Sequence, residues 1–180
     1  AGLYAQQKDY PNAIADLSKI INMVPPQEDK GHICIPEGKK YESMKGQAYL
    51  LRSKVYAALN NYEQAIKDVS MIIGNETKDE SVYNARGSYY FETDEYSMAI
   101  DDFTKALNLS KTSRRKLDNL ICLASVYYQE KNFVKANQYF QKASELEPKL
   151  RQGMKILEKR SLVYYPKMGK VLVEMTRKSP

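Results

Sequence analysis

The architecture of this chain can be read from residues 83–106, YNARGSYYFETDEYSMAIDDFTKA, in which apolar side chains recur three or four positions apart on both sides of a polar break at 93–95. This spacing is typical of two amphipathic helices joined by a short turn. The pattern is carried by Tyr83, Gly87 and Tyr90 before the break, and by Tyr96, Ala99, Phe103 and Ala106 after it. The stretch therefore predicts a helical hairpin.

The same pattern occurs at three other places in the chain. It recurs 34 residues earlier around Tyr62 and 37 residues later around Phe133, and a shortened copy lies around Tyr10. A single hairpin leaves one apolar face uncovered, so consecutive copies are expected to stack and bury a continuous core. The small residues Ala13, Ala65, Ala99 and Ala136 are expected where the two helices of a hairpin cross. The sequence predicts an all-α fold, a right-handed superhelical stack of helix-turn-helix hairpins.

This pattern resembles the tetratricopeptide repeat family, whose 34-residue motif has a small residue and an aromatic in its first helix, and an aromatic, Ala, a large residue, Ala and Pro in its second. The resemblance covers residues 1–148. The chain departs from the motif at Leu120, which replaces an aromatic, and at Thr77 and Lys111, which replace the closing Pro. The resemblance implies a protein-protein interaction scaffold or adaptor with no enzymatic activity and no cofactor.

The copies divide the chain into an array and a tail. We expect the array over 1–148, with repeats at about 1–25 (truncated), 46–78, 80–112 and 117–148, and an insert at about 26–45. The insert is expected to be a long loop followed by an extended helix from about Lys39; a functional loop and a tolerated insertion are both compatible with it. Residues 149–180 are expected to form one or two basic capping helices. Since the chain begins without Met inside a predicted helix, we expect it to be a fragment of a larger protein.

The net charge of +6 belongs to the tail. Residues 149–180 carry nine basic and two acidic side chains, which leaves 19 basic and 20 acidic residues in 1–147. An alternative function is therefore binding of nucleic acid or an anionic surface through the tail, although the near-neutral body makes nucleic acid the less favoured partner. Self-association is a further possibility, through 167–180 and its apolar residues Val171, Leu172 and Met175.

The sequence offers few groups for catalysis or metal binding. Its one histidine, His32, could supply two metal ligands with Cys34, but a structural zinc site takes four. The plain interpretation of Asp101 and Asp102 is a solvent-facing stripe, and that of the basic run 111–116 is a solvated turn, with anion binding or phosphorylation as the alternative. No segment is apolar enough to span a membrane, and two widely separated cysteines mildly favour a reducing, cytoplasmic location.

The resemblance also implies where a ligand would bind. In this family the first helices line a concave groove, and the matching positions here predict partner contacts at Leu50, Lys54, Asn84, Ser88, Phe91, Ile121, Ser125 and Tyr128. The Lys, Asn and Arg pattern that clamps acidic chaperone tails is absent from these positions. We expect an extended or helical peptide with apolar anchors near Phe91, Ile121 and Tyr128. The alternative is a groove that is idle or filled by the protein's own N-terminal helix.

Overall fold

The computed structural model describes residues 9–23, 37–74, 77–146, 167 and 170, and the side chains of 37–42 are left aside. Within this part of the chain the fold is all-α. Its helices are α1 (Tyr10–Asn22), α2 (Glu37–Ala58), α3 (Tyr62–Ile73), α4 (Glu80–Glu92), α5 (Tyr96–Leu109), α6 (Ser113–Gln129) and α7 (Phe133–Leu146). Three helical hairpins result, α2–α3, α4–α5 and α6–α7. The predicted all-α hairpin fold is confirmed.

The chain divides into two compact units, Ala1–Asn75 and Glu76–Pro180. In the first unit α2 packs against both α1 and α3, and its core includes the buried Ala13, Leu17 and Val55. In the second unit the α4–α5 hairpin packs on the α6–α7 hairpin, mainly through α5 and α6. Each unit thus covers an apolar helix face with a neighbouring copy, as stacked repeats require.

The three hairpin turns have the same backbone geometry. Asn60, Asp94 and Lys131 adopt left-handed φ angles of 58°, 68° and 61°, each two residues before the aromatic that begins the next helix. The next backbone N–H donates to the carbonyl five residues earlier, over 2.9 Å in every turn. This is the Schellman arrangement, which satisfies carbonyls that the helix end would otherwise leave open.

The hairpin helices approach each other closely where the small residues lie. Ala99 and Phe103 are fully buried. A Cβ atom added to Gly87 would lie only 3.0 Å from Cε1 of Phe103 and 3.2 Å from Cβ of Asp102. The absence of a side chain at Gly87 therefore allows α4 and α5 to pack at this distance, in agreement with the expectation that small residues mark the crossing.

An arginine-aspartate pair joins the two helices in each of the first two hairpins. Arg86 donates from Nε and Nη2 to the carboxylate of Asp102 over 2.7 and 2.8 Å, and Arg52 does the same to Asp68 over 2.8 and 2.7 Å. Both aspartates are buried, so the interpretation of Asp102 as a solvent-facing residue is wrong. It failed because a buried carboxylate with a guanidinium partner is compatible with the helix core, although an unpaired one is not.

The third hairpin replaces the ion pair with aromatic packing. The positions that match Arg86 and Asp102, 37 residues later, hold Leu123 and Tyr139. The ring of Tyr139 stacks on that of Tyr127, with centroids 5.4 Å apart and an interplanar angle of 10°. The same place in the hairpin is therefore filled either by a paired charge or by an apolar contact.

Two segment predictions can be compared with helix boundaries. The extended helix expected from about Lys39 begins at Glu37. The basic run 111–116 is only partly a turn, because Thr112 caps α6 by accepting the backbone N–H of Arg115, and the run from Ser113 onward is helical. The interpretation of the whole run as a solvated turn is thus wrong from Ser113 onward, although the side chains of the run are exposed.

Candidate partner-binding site

The eight predicted groove residues are divided between the two units. Leu50 and Lys54 lie on α2, where Leu50 is partly exposed and Lys54 is exposed. In the second unit, Asn84 on α4 and Tyr128 on α6 are partly exposed. These four residues are open to contact with another molecule in this conformation.

The other four predicted residues are buried. Ser88, Phe91, Ile121 and Ser125 expose 1% or less of their surface. The hydroxyl groups of Ser88 and Ser125 donate to the carbonyl oxygens four residues earlier, each over 2.9 Å, and therefore bond within their own helices. The ring of Phe91 lies 5.8 Å from that of Tyr96. In this conformation Phe91 and Ile121 contribute to the interior instead of presenting apolar anchors, and the eight positions do not form one exposed stripe.

A polar network fixes the position of Asn84. Its Nδ2 donates to Oδ1 of Asn119 over 2.7 Å, and Asn119 in turn donates to Oγ of Ser110 over 2.9 Å and to the carbonyl of Arg115 over 3.1 Å. Asn119 is 2% exposed, so its side-chain amide is buried and forms these hydrogen bonds inside the protein. Burying an amide without such partners would be costly. The network thus connects the first helices α4 and α6 and holds the Asn84 side chain in one orientation.

Charged side chains lie beside Asn84 at the start of α6. Arg115 forms an ion pair with Glu80 at the start of α4, and Arg114 pairs with Asp118 over 3.5 Å. Cys122 is near the same place, 3.9 Å from Nδ2 of Asn84. Burial, together with the charge of Asp118, raises the pKa of the Cys122 thiol to about 12. The thiol is therefore protonated at neutral pH and is a poor candidate for a nucleophile.

The far end of α4 is in contact with the C-terminal segment. The Nζ of Lys167 pairs with the carboxylate of Asp94 and lies 5.7 Å from the ring centroid of Phe91 and 5.1 Å from that of Tyr96. The backbone N–H of Lys167 donates to Oε2 of Glu92 over 3.0 Å. The alternative that the protein's own N-terminal helix fills the groove stays a prediction, and at this end of α4 the described contact comes from the C-terminal segment.

Sequence reasoning missed Asn119, Glu92, Asp94, Tyr96 and Lys167 as members of these sites. Asn119 carried no signal, because a buried asparagine on a helix cannot be told from an exposed one by spacing alone. Asp94 did carry one, since it is the only acidic residue among the three matching turn positions and has aromatic residues on both sides.

Other predicted sites lie outside the described residues. They include the possible ligands His32 and Cys34, and all of the tail except Lys167 and Lys170. Tail-mediated binding of anions and self-association through 167–180 thus stay predictions. None of the described helices is long and apolar enough to cross a membrane.

Comparisons with known proteins agree with the hairpin geometry. A family model described as the tetratricopeptide repeat matches residues 46–69 and 80–113, which contain most of the α2–α3 hairpin and all of the α4–α5 hairpin. None of the curated proteins matches the chain. The crystal structure of MamA is similar in fold, with a TM-score of 0.65 and 20% sequence identity over 97% of this chain and 89% of that chain. The family match supports a protein-interaction scaffold in general, of a kind that is typically non-catalytic. The likeness to the solved structure shows the fold alone. The chain therefore carries tetratricopeptide repeats within an all-α helical-repeat fold.

Proposed function

We propose that the chain is a non-catalytic scaffold that holds an extended segment of a partner protein against its first helices. The observation that carries the proposal is the orientation of Asn84. Its Nδ2 is fixed by Asn119, while its Oδ1 has no hydrogen-bond partner among the described residues and lies on a partly exposed side chain. A fixed amide oxygen of this kind can accept a backbone N–H from an extended peptide, which is a contact that does not depend on the peptide's sequence.

The predicted residues take two roles in this proposal. Asn84 and Tyr128 contact the partner on the second unit, and Leu50 and Lys54 remain candidate contacts of the first unit by itself. The buried residues Ser88, Phe91, Ile121 and Ser125 support this face from inside. Specificity then comes from neighbouring charges such as Asp118, whose side chain is 28% exposed. Because buried side chains are held in one rotamer, the exposed contacts are ordered before the partner binds, which reduces the entropy lost on binding.

A matched pair of variants tests this proposal. Peptide ligands would be selected from a random display library on the full chain, and their dissociation constants would be measured by fluorescence polarisation for Asn84→Ala and Asn137→Ala. Asn137 is exposed on the second helix α7, so the two variants make the same chemical change on different faces. We expect Asn84→Ala to weaken binding about tenfold, the equivalent of one hydrogen bond, and Asn137→Ala to leave it unchanged.

A third variant distinguishes loss of the contact with the partner from loss of the internal hydrogen bond that orients Asn84. Asn119→Ala breaks the same 2.7 Å hydrogen bond and so releases the orientation of the Asn84 side chain, but it keeps the Asn84 amide on α4. We expect it to weaken binding less than Asn84→Ala at similar loss of stability. Equal affinity of the wild type and Asn84→Ala for every selected peptide would refute the role of this face.

A further inference from the structure

The turn between α4 and α5 has the composition of a binding site for a lysine side chain. Phe91, Glu92, Asp94 and Tyr96, which we call the notch, contribute two aromatic rings and two carboxylates. The ammonium group of Lys167 lies within 6 Å of both ring centroids and pairs with Asp94. Aromatic faces attract a cation at this range, and the attraction grows as the cation loses water. The notch thus contacts Lys167 through two rings, through an ion pair with Asp94, and through the Glu92 carboxylate, which accepts the backbone N–H of Lys167.

The other two turns show that the notch is not a by-product of the repeat. The α2–α3 turn has Asn60 and Ala57 at the positions of Asp94 and Phe91, and so lacks both the charge and one ring. The α6–α7 turn keeps a ring pair, but Lys131 stands where the notch has Asp94. An ammonium group at that position would repel a second lysine. Among the three turns with the same backbone, only the α4–α5 turn can therefore hold a lysine.

The ion pair alone would not explain the contact. The side chain of Asp94 is 67% exposed, and an exposed pair of this kind contributes little. The side chain of Lys167 is only 25% exposed, in contrast with the exposed Lys170 in the same segment. Partial burial of a lysine is tolerated when rings cover its stem and carboxylates meet its charge. The backbone bond to Glu92 adds a constraint on the segment itself and not only on its side chain.

The charges in the notch favour this contact over a wide pH range. The hydrogen bond from Lys167, followed by that from Tyr96, lowers the pKa of Asp94 below its ordinary value of 3.8. Burial opposes the charge of Lys167, but hydrogen bonds with Asp94 and Tyr96 outweigh it and raise the pKa of this lysine above 10.5. The contribution of Asp94 is therefore present above its ordinary pKa and is lost as the pH falls through the lowered value.

We infer that the notch is a lysine-recognition site and that the C-terminal segment is its tethered ligand through Lys167. A partner segment that offers a lysine must displace this residue before it can bind there. The inference goes beyond the proposed function, because it needs no external partner. Glu92 lies eight residues beyond Asn84 on α4, about 12 Å along the helix at 1.5 Å per residue, so the two sites can be mutated separately.

The first experiment measures protection of Lys167 from acylation in the full chain. Acetic anhydride labelling at limiting reagent, read by mass spectrometry, compares Lys167 with Lys170 as an internal control. We expect Lys167 to react about fivefold more slowly than Lys170 in the wild type, from the combined cation–π and ion-pair contacts. Asp94→Asn should remove the ion-pair part of this protection and leave the part that the rings contribute, and Asp101→Asn, at an exposed position on α5, should not change it. Equal rates for the two lysines in the wild type would overturn the inference.

The second experiment tests whether Lys167 is a competing ligand. A synthetic peptide of residues 162–172 is titrated into full-length wild type and into Lys167→Ala, with the ring resonances of Tyr96 followed by NMR. A tethered ligand acts at an effective concentration of about a millimolar, so we expect the peptide to bind Lys167→Ala at concentrations that leave the wild type largely unchanged. Adding Asp94→Lys to Lys167→Ala, which copies the α6–α7 turn, should abolish binding. Equal binding to wild type and Lys167→Ala, or binding that survives Asp94→Lys, would refute the tethered-ligand role.

Discussion

Removing the carboxylate of Asp102 should destabilise the second unit by about 3 kcal/mol. The side chain of Asp102 is 6% exposed and receives two hydrogen bonds from Arg86, whose own side chain is 18% exposed. Breaking a buried pair from one side costs about 3–5 kcal/mol, because the remaining charge stays out of water. The lower end applies to Asp102→Ala, since Arg86 retains some exposure and lies 5.6 Å from the ring centroid of Tyr90.

The loss should be recovered by changing both partners. The double variant Arg86→Leu/Asp102→Tyr copies Leu123 and Tyr139 of the α6–α7 hairpin and replaces the ion pair with apolar packing. Replacement of a buried pair by well-packed apolar residues is often neutral, so we expect the double variant to lie within about 1.5 kcal/mol of the wild type.

Urea unfolding followed by circular dichroism gives the overall effect, and native-state hydrogen exchange of the α4 and α5 amides assigns it to this hairpin. Asp101→Ala, at the neighbouring exposed position, is the control and should change stability by no more than about 0.5 kcal/mol. A loss of stability below about 1 kcal/mol in Asp102→Ala would refute the buried ion pair. So would a double variant whose loss of stability equals the sum of the losses in the two single variants, because the partners of a buried pair are energetically coupled.

Three further predictions concern the turns, the helix crossing and the thiol. Lys131→Gly should raise the free energy of unfolding by about 1 kcal/mol, because glycine adopts the φ of 61° without a Cβ penalty, and an unchanged melting temperature would contradict this. Gly46→Ala should stabilise the chain by about 0.5–1 kcal/mol, since a Cβ there meets nothing within 4 Å. Gly87→Ala should instead destabilise it by about 1–2 kcal/mol, because the added Cβ contacts Phe103. Melting curves that reverse this order would refute the close crossing of α4 and α5. Cys122 should react slowly with iodoacetamide in the native chain at pH 8 and quickly in urea, as measured by mass spectrometry, because its surroundings raise its pKa to about 12 and keep the thiolate scarce; fast native labelling would contradict the raised pKa.

The sequence predicts the hairpins well because their spacing is set by local rules. The second helices begin at the predicted aromatics Tyr10, Tyr62, Tyr96 and Phe133. A small residue at a crossing and an apolar residue every third or fourth position are needed wherever two helices pack, so they recur in each copy. The Arg86–Asp102 pair was missed, although Arg52 and Asp68 repeat it at an interval of 34 residues. Comparing charged positions between copies would have revealed it, whereas classing each charge as solvent-exposed concealed it.

The candidate site was less predictable than the fold. A register position shows which helix carries a residue, but whether Ser88 or Phe91 reaches solvent depends on what packs over it. Lys167 lies 73 residues from Asp94 in the chain. No local pattern links the two, because the contact depends on where the tail returns. The predicted groove positions lie on the first helices of the hairpins, where the register put them, while which of them are exposed, and the notch, required the three-dimensional structure.

The three turns explain how one repeat can acquire a site that its copies lack. Their left-handed residue is needed only for its backbone angle, and the Schellman hydrogen bonds involve main-chain atoms alone. The fold therefore tolerates different side chains here, and the chain has Asn60, Asp94 and Lys131. Each incurs a similar backbone cost, but only Asp94 combines a carboxylate with a ring before it and a ring after it that the helix geometry brings together. A change from one charge to the other at this position would leave the hairpin intact and reverse its preference for a lysine. The backbone constraint and the recognition chemistry are thus separable at a single residue, so the turn between α4 and α5 can be altered in function without loss of the repeat that carries it.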